Sequence, residues 1–257
     1  MKVAILAGGL GTRLSEETTV RPKPMVEIGK HPILWHIMMH YSTFGFTDFV
    51  IALGYKGEYV KHWMHDYFSL NKNVEFKTNE NDFLIHDTSN EGWSVRLVDT
   101  GQETLTGGRI KRLAPWLENQ TFMLTWCDAV ADIDLHSLLR FHRLHGKLAT
   151  VTAVRPKPRF GHLVLEKDRV LQFKEKSLED EAWINGAFFV LEPEIFNYIE
   201  GDYTQWEKEP LEKLAREGQL MAFKHNGFWQ CMDTIHEKNQ LEKLWLSDHA
   251  PWKTWKD

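Results

Sequence analysis

Lys2-Val3-Ala4-Ile5-Leu6-Ala7 runs straight into Gly8-Gly9-Leu10-Gly11-Thr12-Arg13-Leu14, and this junction decides the fold. A short, continuous apolar run that stops at a glycine pair reads as a strand buried on both faces. The same pattern recurs at Asp48 to Gly54 (DFVIALG), Thr121 to Trp126 (TFMLTW) and Ala149 to Val154, and Ser94 to Thr100 reads as a further strand. Helical spacing lies between these runs. Ile33, Ile37, Tyr41 and Phe44 share one stripe, Tyr59, Trp63 and Tyr67 another, and Leu135 to His145 forms a third helix. Strand–helix alternation predicts an α/β fold with a Rossmann-like, mixed but mainly parallel sheet flanked by helices. Asn71 to Gly92 is polar and weakly periodic, an excursion from the core with the look of a hairpin. Gly107-Gly108 marks a turn or loop. After Pro156 the strands shorten to Leu163 to Lys174, Ala187 to Leu191 and Leu220 to Phe228. Helices are expected at Glu207 to Glu217 and Glu237 to Trp245. No repeat or low-complexity linker divides the chain, so residues 1–257 are expected to form a single domain with a small C-terminal portion.

Composition narrows the class. Of 257 residues, 42% are hydrophobic and 26% charged, an ordinary globular mix that excludes collagen-like and disordered chains. The 31 basic and 36 acidic side chains give a net charge of −5, so no overall basic field holds a nucleic acid. Any anion must meet a local basic patch. No apolar run approaches the roughly 20 residues of a membrane span, and the N-terminal run breaks at glycine short of a signal-peptide core. With only Cys127 and Cys231, a reduced, cytoplasmic protein is expected.

The glycine loop is tested against two known patterns. A dinucleotide fingerprint needs G-x-G-x-x-G, but Gly9 and Gly11 are followed by Leu14 in the third position. A Walker A loop needs Ser or Thr after Gly-Lys, and Gly29-Lys30 is followed by His31. What is left is a distinct loop whose backbone N–H groups can approach phosphate. Arg13, Arg21 and Lys23 follow it and supply cations. A plain strand–helix turn with solvated basic residues is the alternative.

Leu6-Ala7-Gly8-Gly9-Leu10-Gly11-Thr12-Arg13-Leu14, followed by Arg21-Pro22-Lys23-Pro24-Met25, resembles the signature of the sugar-1-phosphate nucleotidyltransferases. The likeness continues through Gly54-Tyr55-Lys56-Gly57, Leu97 to Gly101, Trp183-Ile184-Asn185-Gly186, Trp206-Glu207, Glu209-Pro210-Leu211 and His225 to Trp229. Thr106-Gly107-Gly108-Arg109 is the segment that points to the family's cytidylyl branch. The resemblance implies transfer of CMP from CTP to a sugar 1-phosphate, most simply glucose 1-phosphate, releasing pyrophosphate and forming CDP-glucose. It also implies Mg²⁺ as cofactor and a homo-oligomer that shares nucleotide sites between subunits, with no nucleic acid and no membrane. Residues 1–155 then form a nucleotide-binding part, and 156–257 a sugar-phosphate-binding and oligomerisation part.

Residue roles carry over from that likeness. Leu6, Ala7, Gly8, Gly9, Gly11, Thr12, Arg13 and Lys23 are expected at the nucleotide, and Thr104 and Arg109 at a nucleotide bound to a neighbouring subunit. Arg13, Lys23 and Asp128 are the expected catalytic groups, and Asp128 with Asp233 the Mg²⁺ pair. Glu175, Lys176, Asn185 and Gly186 are expected at the sugar phosphate. Asp128 ends a buried strand, and in a parallel sheet ligands collect at strand C-termini. UTP or dTTP use, another sugar 1-phosphate, and a non-catalytic sugar-nucleotide-binding module are the rival readings. The sequence departs from the family pattern at Cys127, Ala129, His162, Ser177, Ala187, Gln230 and Cys231, mostly around the sugar half, which leaves open which sugar is used.

Two further groupings are weaker. His62, His65 and Asp66 share a helix but show no third or fourth metal ligand elsewhere. Cys127 and Cys231 both adjoin a candidate ligand aspartate. In an extended backbone neighbouring side chains point opposite ways, so Cys127 is expected to face the core as a reduced thiol.

Overall fold

The computed structural model describes residues 1–70, 73–77, 82–86, 92–156, 161–175 and 182–256. Its centre is a seven-stranded sheet. The strands are β1 (Lys2–Leu6), β2 (Asp48–Leu53), β3 (Ser94–Asp99), β4 (Phe122–Trp126), β5 (Ala149–Val154), β6 (Ile184–Leu191) and β7 (Leu220–His225). They lie in the order β7-β5-β6-β4-β1-β2-β3. Within it β1 pairs in parallel with β2 and β4, β2 with β3, and β5 with β7, while β6 is antiparallel to both its neighbours. The mixed, mainly parallel sheet expected from the alternation is therefore present. Six of the seven strands end on the same edge.

Alternation along β1 shows why both faces must be covered. Val3 and Ile5 enter one core with Ile37 and Tyr41 of helix α1 (Ile33–Thr43), Val60 and Met64 of α2 (Gly57–Leu70), and Leu138 of α4 (Leu135–His145). Ala4 and Leu6 enter the other with Ile110 and Leu113 of α3 (Thr106–Leu113) and Leu214 of α5 (Glu209–Arg216). Side chains of this size each contribute about 1.5–3 kcal/mol on full burial. Trp252 is fully buried, and Trp245 and Trp255 pack around it and His36, so the C-terminal tryptophans are packing residues.

Several elements differ from the sequence reading. The Gly107-Gly108 pair sits inside α3 instead of a loop. A Cβ at Gly107 would fall 2.8 Å from the Thr204 carbonyl oxygen, and one at Gly108 2.5 Å from the Asp202 Cα. The helix rests backbone to backbone on the 202–204 loop, and packing overrides the low helix propensity of glycine. Of the expected strand Leu220 to Phe228 only Leu220–His225 (β7) is extended, and a separate short strand follows at Trp229–Cys231. The 163–174 stretch is a hairpin, His162–Glu166 against Arg169–Lys174, turning at Lys167 with φ 51°. Strands Asn73–Lys77 and Asp82–His86 pair as the hairpin expected in the polar excursion. Helix α6 (Ile235–Leu246) starts two residues earlier than expected because Thr234 and Glu237 form a reciprocal capping box.

The β5–β6 ladder skips from Val151↔Phe189 to Ala153↔Asn185. Ala187 occupies this bulge at φ 63°, and its N–H donates to Asn185 Oδ1 at 2.8 Å. A left-handed conformation costs an L-residue about 1–2 kcal/mol, against about 0.5–1 kcal/mol of extra entropy lost by glycine. Ala187→Gly is therefore expected to stabilise the protein by about 0.5–1 kcal/mol, on the order of 1–4 °C in Tm. Calorimetry checks this, and an unchanged or lowered Tm would show that the bulge is unstrained.

Candidate active site

A cleft of about 400 Å³ opens at the C-terminal edge of β1 and β4. One wall is the loop Gly8 to Arg13, the other is Gln102 to Thr106, and Leu6, Lys23, Arg109, Trp126, Cys127 and Asp128 complete the lining. The structure thus brings Leu6, Gly8, Gly9, Gly11, Thr12, Arg13, Lys23, Thr104, Arg109 and Asp128 to one place. Ala7 is buried behind the loop, where its N–H donates to the Ala52 carbonyl at 2.9 Å. Arg21 turns away to Glu27 at 2.8 Å.

At one end of the cleft three cationic and acidic elements meet. Asp128 follows β4, and the strand after it, Ala129–Ala131, pairs antiparallel with Trp229–Cys231. The register sets Cys231 opposite Ala129, and the Met232 N–H donates to the Asp128 carbonyl at 2.8 Å. Asp233 is therefore delivered beside Asp128 by the ribbon, although 105 positions separate them in the chain. Glu237 fixes it there: its Oε2 accepts from the N–H of Asp233 (2.8 Å) and of Thr234 (3.0 Å). Lys23 enters from a short 3-10 turn, Lys23–Met25, held by Pro22 and Pro24.

Lys23 Nζ lies 2.8 Å from Asp128 Oδ2 and 2.5 Å from Asp233 Oδ1, and Arg13 Nη1 lies 2.5 Å from Asp233 Oδ2. The Lys23 side chain is 9% exposed and that of Arg13 72%. Burial acts to lower the Lys23 pKa, but the two carboxylates outweigh it and hold the ammonium above its ordinary range. Lys23 is a fixed cation and Arg13 a reachable one.

The same two carboxylates fit a hard divalent cation, because they already converge on one positive charge. Among the described residues no cluster of three or more His, Cys, Asp or Glu is present. A Mg²⁺ ion there would draw its other ligands from water and substrate phosphates, as Mg²⁺ ordinarily does. Neither thiol competes. Burial, then the Asp128 charge, pushes Cys127 up to about 12. Burial, then Glu237, Asp233 and Asp128, pushes Cys231 up to about 12. Both are free, and Cys127 faces the core as expected. His65 pairs with Asp66 on the surface.

Arg109 lines the cleft from a buried position. It is 4% exposed, and its fork donates to backbone carbonyls and one hydroxyl instead of facing the cleft freely. Thr106 is likewise committed, donating to Glu207 at 2.6 Å and accepting from the Trp206 N–H at 2.9 Å. The sugar-half candidates are less concentrated. Asn185 and Gly186 lie at the start of β6, next to β4, and Gly186 accepts from the Trp229 indole at 2.9 Å. Glu175 is exposed at the hairpin's end, and Lys176 lies outside the described residues. Trp126, Gln102, Glu103 and Leu105 line the cleft without having been singled out in the sequence. Trp126 is hidden there inside an apolar strand run, whereas the Thr234-x-x-Glu237 capping signature was readable.

The chain is similar over nearly its whole length to known proteins. A family model described as nucleotidyl transferase matches residues 2–234. The chain is 52% identical over 256 residues to glucose-1-phosphate cytidylyltransferase of Salmonella typhi, covering 99% of this chain and 100% of that one. It is 30% identical to mannose-1-phosphate guanyltransferase of Saccharomyces cerevisiae, covering 94% of this chain and 63% of that one. Among solved structures, HddC from Yersinia pseudotuberculosis superposes with a TM-score of 0.70 at 22% identity, covering 95% and 99%, which shows a shared fold.

Lys23→Met would leave Asp128 and Asp233 facing each other with only Arg13 as counter-charge. Removing a buried pair's partner costs about 3–5 kcal/mol, and the partial exposure of both aspartates reduces this to about 2–3 kcal/mol. The variant's Tm should fall by several degrees, and millimolar Mg²⁺ without nucleotide should raise it more than it raises wild type. Thermal-shift titration measures both, and equal Mg²⁺ shifts would contradict the shared cation site.

Proposed function

Because the chain belongs to the nucleotidyl transferase family, we propose that it transfers CMP from CTP to glucose 1-phosphate. A phosphate oxygen of the sugar phosphate attacks the α-phosphorus of CTP in line. The bond from that phosphorus to the β-phosphate bridging oxygen breaks, and pyrophosphate leaves as CDP-glucose forms. The 52% identity to a glucose-1-phosphate cytidylyltransferase over essentially the whole chain supports both substrates. The observation that carries the mechanism is the convergence of Lys23, Arg13, Asp128 and Asp233 at one end of a glycine-lined cleft.

Both substrates are anions, so the protein's task is positioning and charge stabilisation, with no covalent nucleophile. The sugar phosphate is already ionised and needs no general base. Backbone N–H groups of Gly8, Gly9 and Gly11 cradle the triphosphate. Arg13, exposed at the rim, forks onto phosphate oxygens. Lys23, held cationic, offsets the charge that builds at the α-phosphate. Asp128 and Asp233 would hold Mg²⁺, which would supply screening of the phosphate charge. Thr104 and Arg109 serve a nucleotide bound to a neighbouring subunit, and Glu175, Lys176, Asn185 and Gly186 contact the sugar phosphate. Residues 1–155 serve the nucleotide and 156–257 the sugar phosphate.

The changes at Ala129 and Cys231 fall in the ribbon behind the aspartates and leave both carboxylates in place, which is compatible with glucose 1-phosphate. The working form is a cytoplasmic homo-oligomer. Its support is the 162–174 hairpin, where Leu163, Leu165 and Phe173 are 53%, 57% and 63% exposed, since an isolated two-stranded hairpin is marginal in water. Among the described residues no helix is long and apolar enough to cross a membrane.

Pyrophosphate release should be fastest with CTP and glucose 1-phosphate when CTP, UTP and dTTP are compared. Asp128→Asn and Lys23→Ala should each lower kcat/KM by about 10²–10³-fold, as loss of a charge-stabilising group does. Near-wild-type turnover by either variant would remove the mechanism.

A further inference from the structure

Arg155, Trp183 and Lys224 form a cluster beyond the residues that line the cleft. The Arg155 Cζ lies 4.5 Å from the centroid of the Trp183 ring, and the Lys224 Nζ lies 5.6 Å from it. Two positive charges are therefore held within about 10 Å of each other, near the Debye length of physiological salt, so screening does not cancel their repulsion. Both side chains are exposed. Among the described residues neither makes an ion pair with a carboxylate. In a chain of net charge −5, two neighbouring cations without a counter-charge are a local basic patch of the kind an anion needs.

Strand pairing explains the meeting. Val154 pairs with Ile184 and with His225, so Arg155 just after β5, Trp183 just before β6 and Lys224 near the end of β7 reach one edge of the sheet. Ala153 pairs with both Asn185 and Lys224. Paired residues share a sheet face, as do residues two apart in a strand. Arg155, Trp183, Asn185 and Lys224 therefore belong to one face, in keeping with the contact of both cations with one ring. It is the face of Val151, Leu220 and Trp126, and Trp126 also lines the cleft. Only β6 separates β5 from β4, so the cluster's strand lies about 10 Å across the sheet from the strand that leads to Asp128. A hexose 1-phosphate laid over β6 with its phosphate toward Asp128 points its far end at Trp183.

We propose that Arg155, Trp183 and Lys224 form an anion subsite at the sugar end of the cleft. It takes a second phosphate or carboxylate, carried by the sugar 1-phosphate away from C1. This rests on the cytidylyl-transfer reading and extends it to acceptors with two anionic groups. A guanidinium stacked on an indole keeps its in-plane N–H donors free to fork onto such a group. The lysine ammonium adds a point charge, and the ring holds both cations in place. The exposed setting tempers the gain, because water and salt reach the patch.

Steady-state kinetics with glucose 1-phosphate, glucose 1,6-bisphosphate and glucuronate 1-phosphate test the subsite. They should use whichever triphosphate wild type turns over best. For at least one of the two doubly charged acceptors, the wild-type KM should be about ten-fold below that for glucose 1-phosphate, as charge-assisted hydrogen bonds are the strong ones. Arg155→Gln and Lys224→Gln should each remove about three-fold of this advantage and the double variant all of it, with the glucose 1-phosphate KM within about two-fold of wild type. Arg155→Lys should restore only part, because an ammonium does not fork. Trp183→Leu should lose the advantage while both cations remain. All three positions lie outside the two cores, so the variants should melt as wild type does. Equal KM values for singly and doubly charged acceptors in wild type would overturn the proposal, and so would an advantage that survives the double variant. A matching rise in the glucose 1-phosphate KM would also overturn it, by assigning the cations to the C1 phosphate. A wild type that transfers to no sugar phosphate would instead defeat the functional reading. Calorimetric binding of glucose 1,6-bisphosphate to wild type and the double variant then decides the subsite, with equal affinities counting against it.

Discussion

A lysine ammonium held between two aspartates is the contact on which the site depends. Like-charged carboxylates do not approach one another without a cation between them, and Lys23 supplies it from a proline-bounded turn far from either in the chain. Its burial makes the arrangement costly to break, and its positive charge makes the end of the cleft receptive to a phosphate. Arg13 completes the cluster from the rim. A triphosphate entering the cleft offers Lys23 new anionic partners and leaves the aspartates able to hold another cation.

The fold exists to bring those groups together. Parallel strands β1 and β4 put the glycine loop and Asp128 on one edge. The ribbon 129–131/229–231 then carries Asp233 back across the domain, and its register decides that the two carboxylates meet. A slip of one residue would turn Asp233 to the other face. The capping box of α6 guards against that slip, because Glu237 holds the Asp233 N–H while it caps the helix. Local helix chemistry and the position of a cleft carboxylate are one device here.

Much of this was legible in the sequence, and the failures have identifiable causes. The buried strands and the glycine loop read correctly because period and punctuation are local signals. Helix α3 was misread as a loop because Gly107 and Gly108 are explained only by backbone 97 and 94 positions away, at Thr204 and Asp202. The carbonyls gathered around Arg109 were not legible, because a sequence shows a charge and not its partners. The convergence of Asp128 and Asp233 came from resemblance, since no spacing rule predicts an antiparallel ribbon of three-residue strands. Arg21 looked equivalent to Arg13 and Lys23, but Glu27 captures it.

The most direct test of the shared site is a double-mutant cycle on Asp128→Asn and Asp233→Asn, read as kcat/KM for pyrophosphate release. Residues acting as one unit are strongly non-additive. The double variant should fall no more than about ten-fold below the weaker single variant. Losses that multiply would mean that the two carboxylates act independently, and the single-site picture would fail.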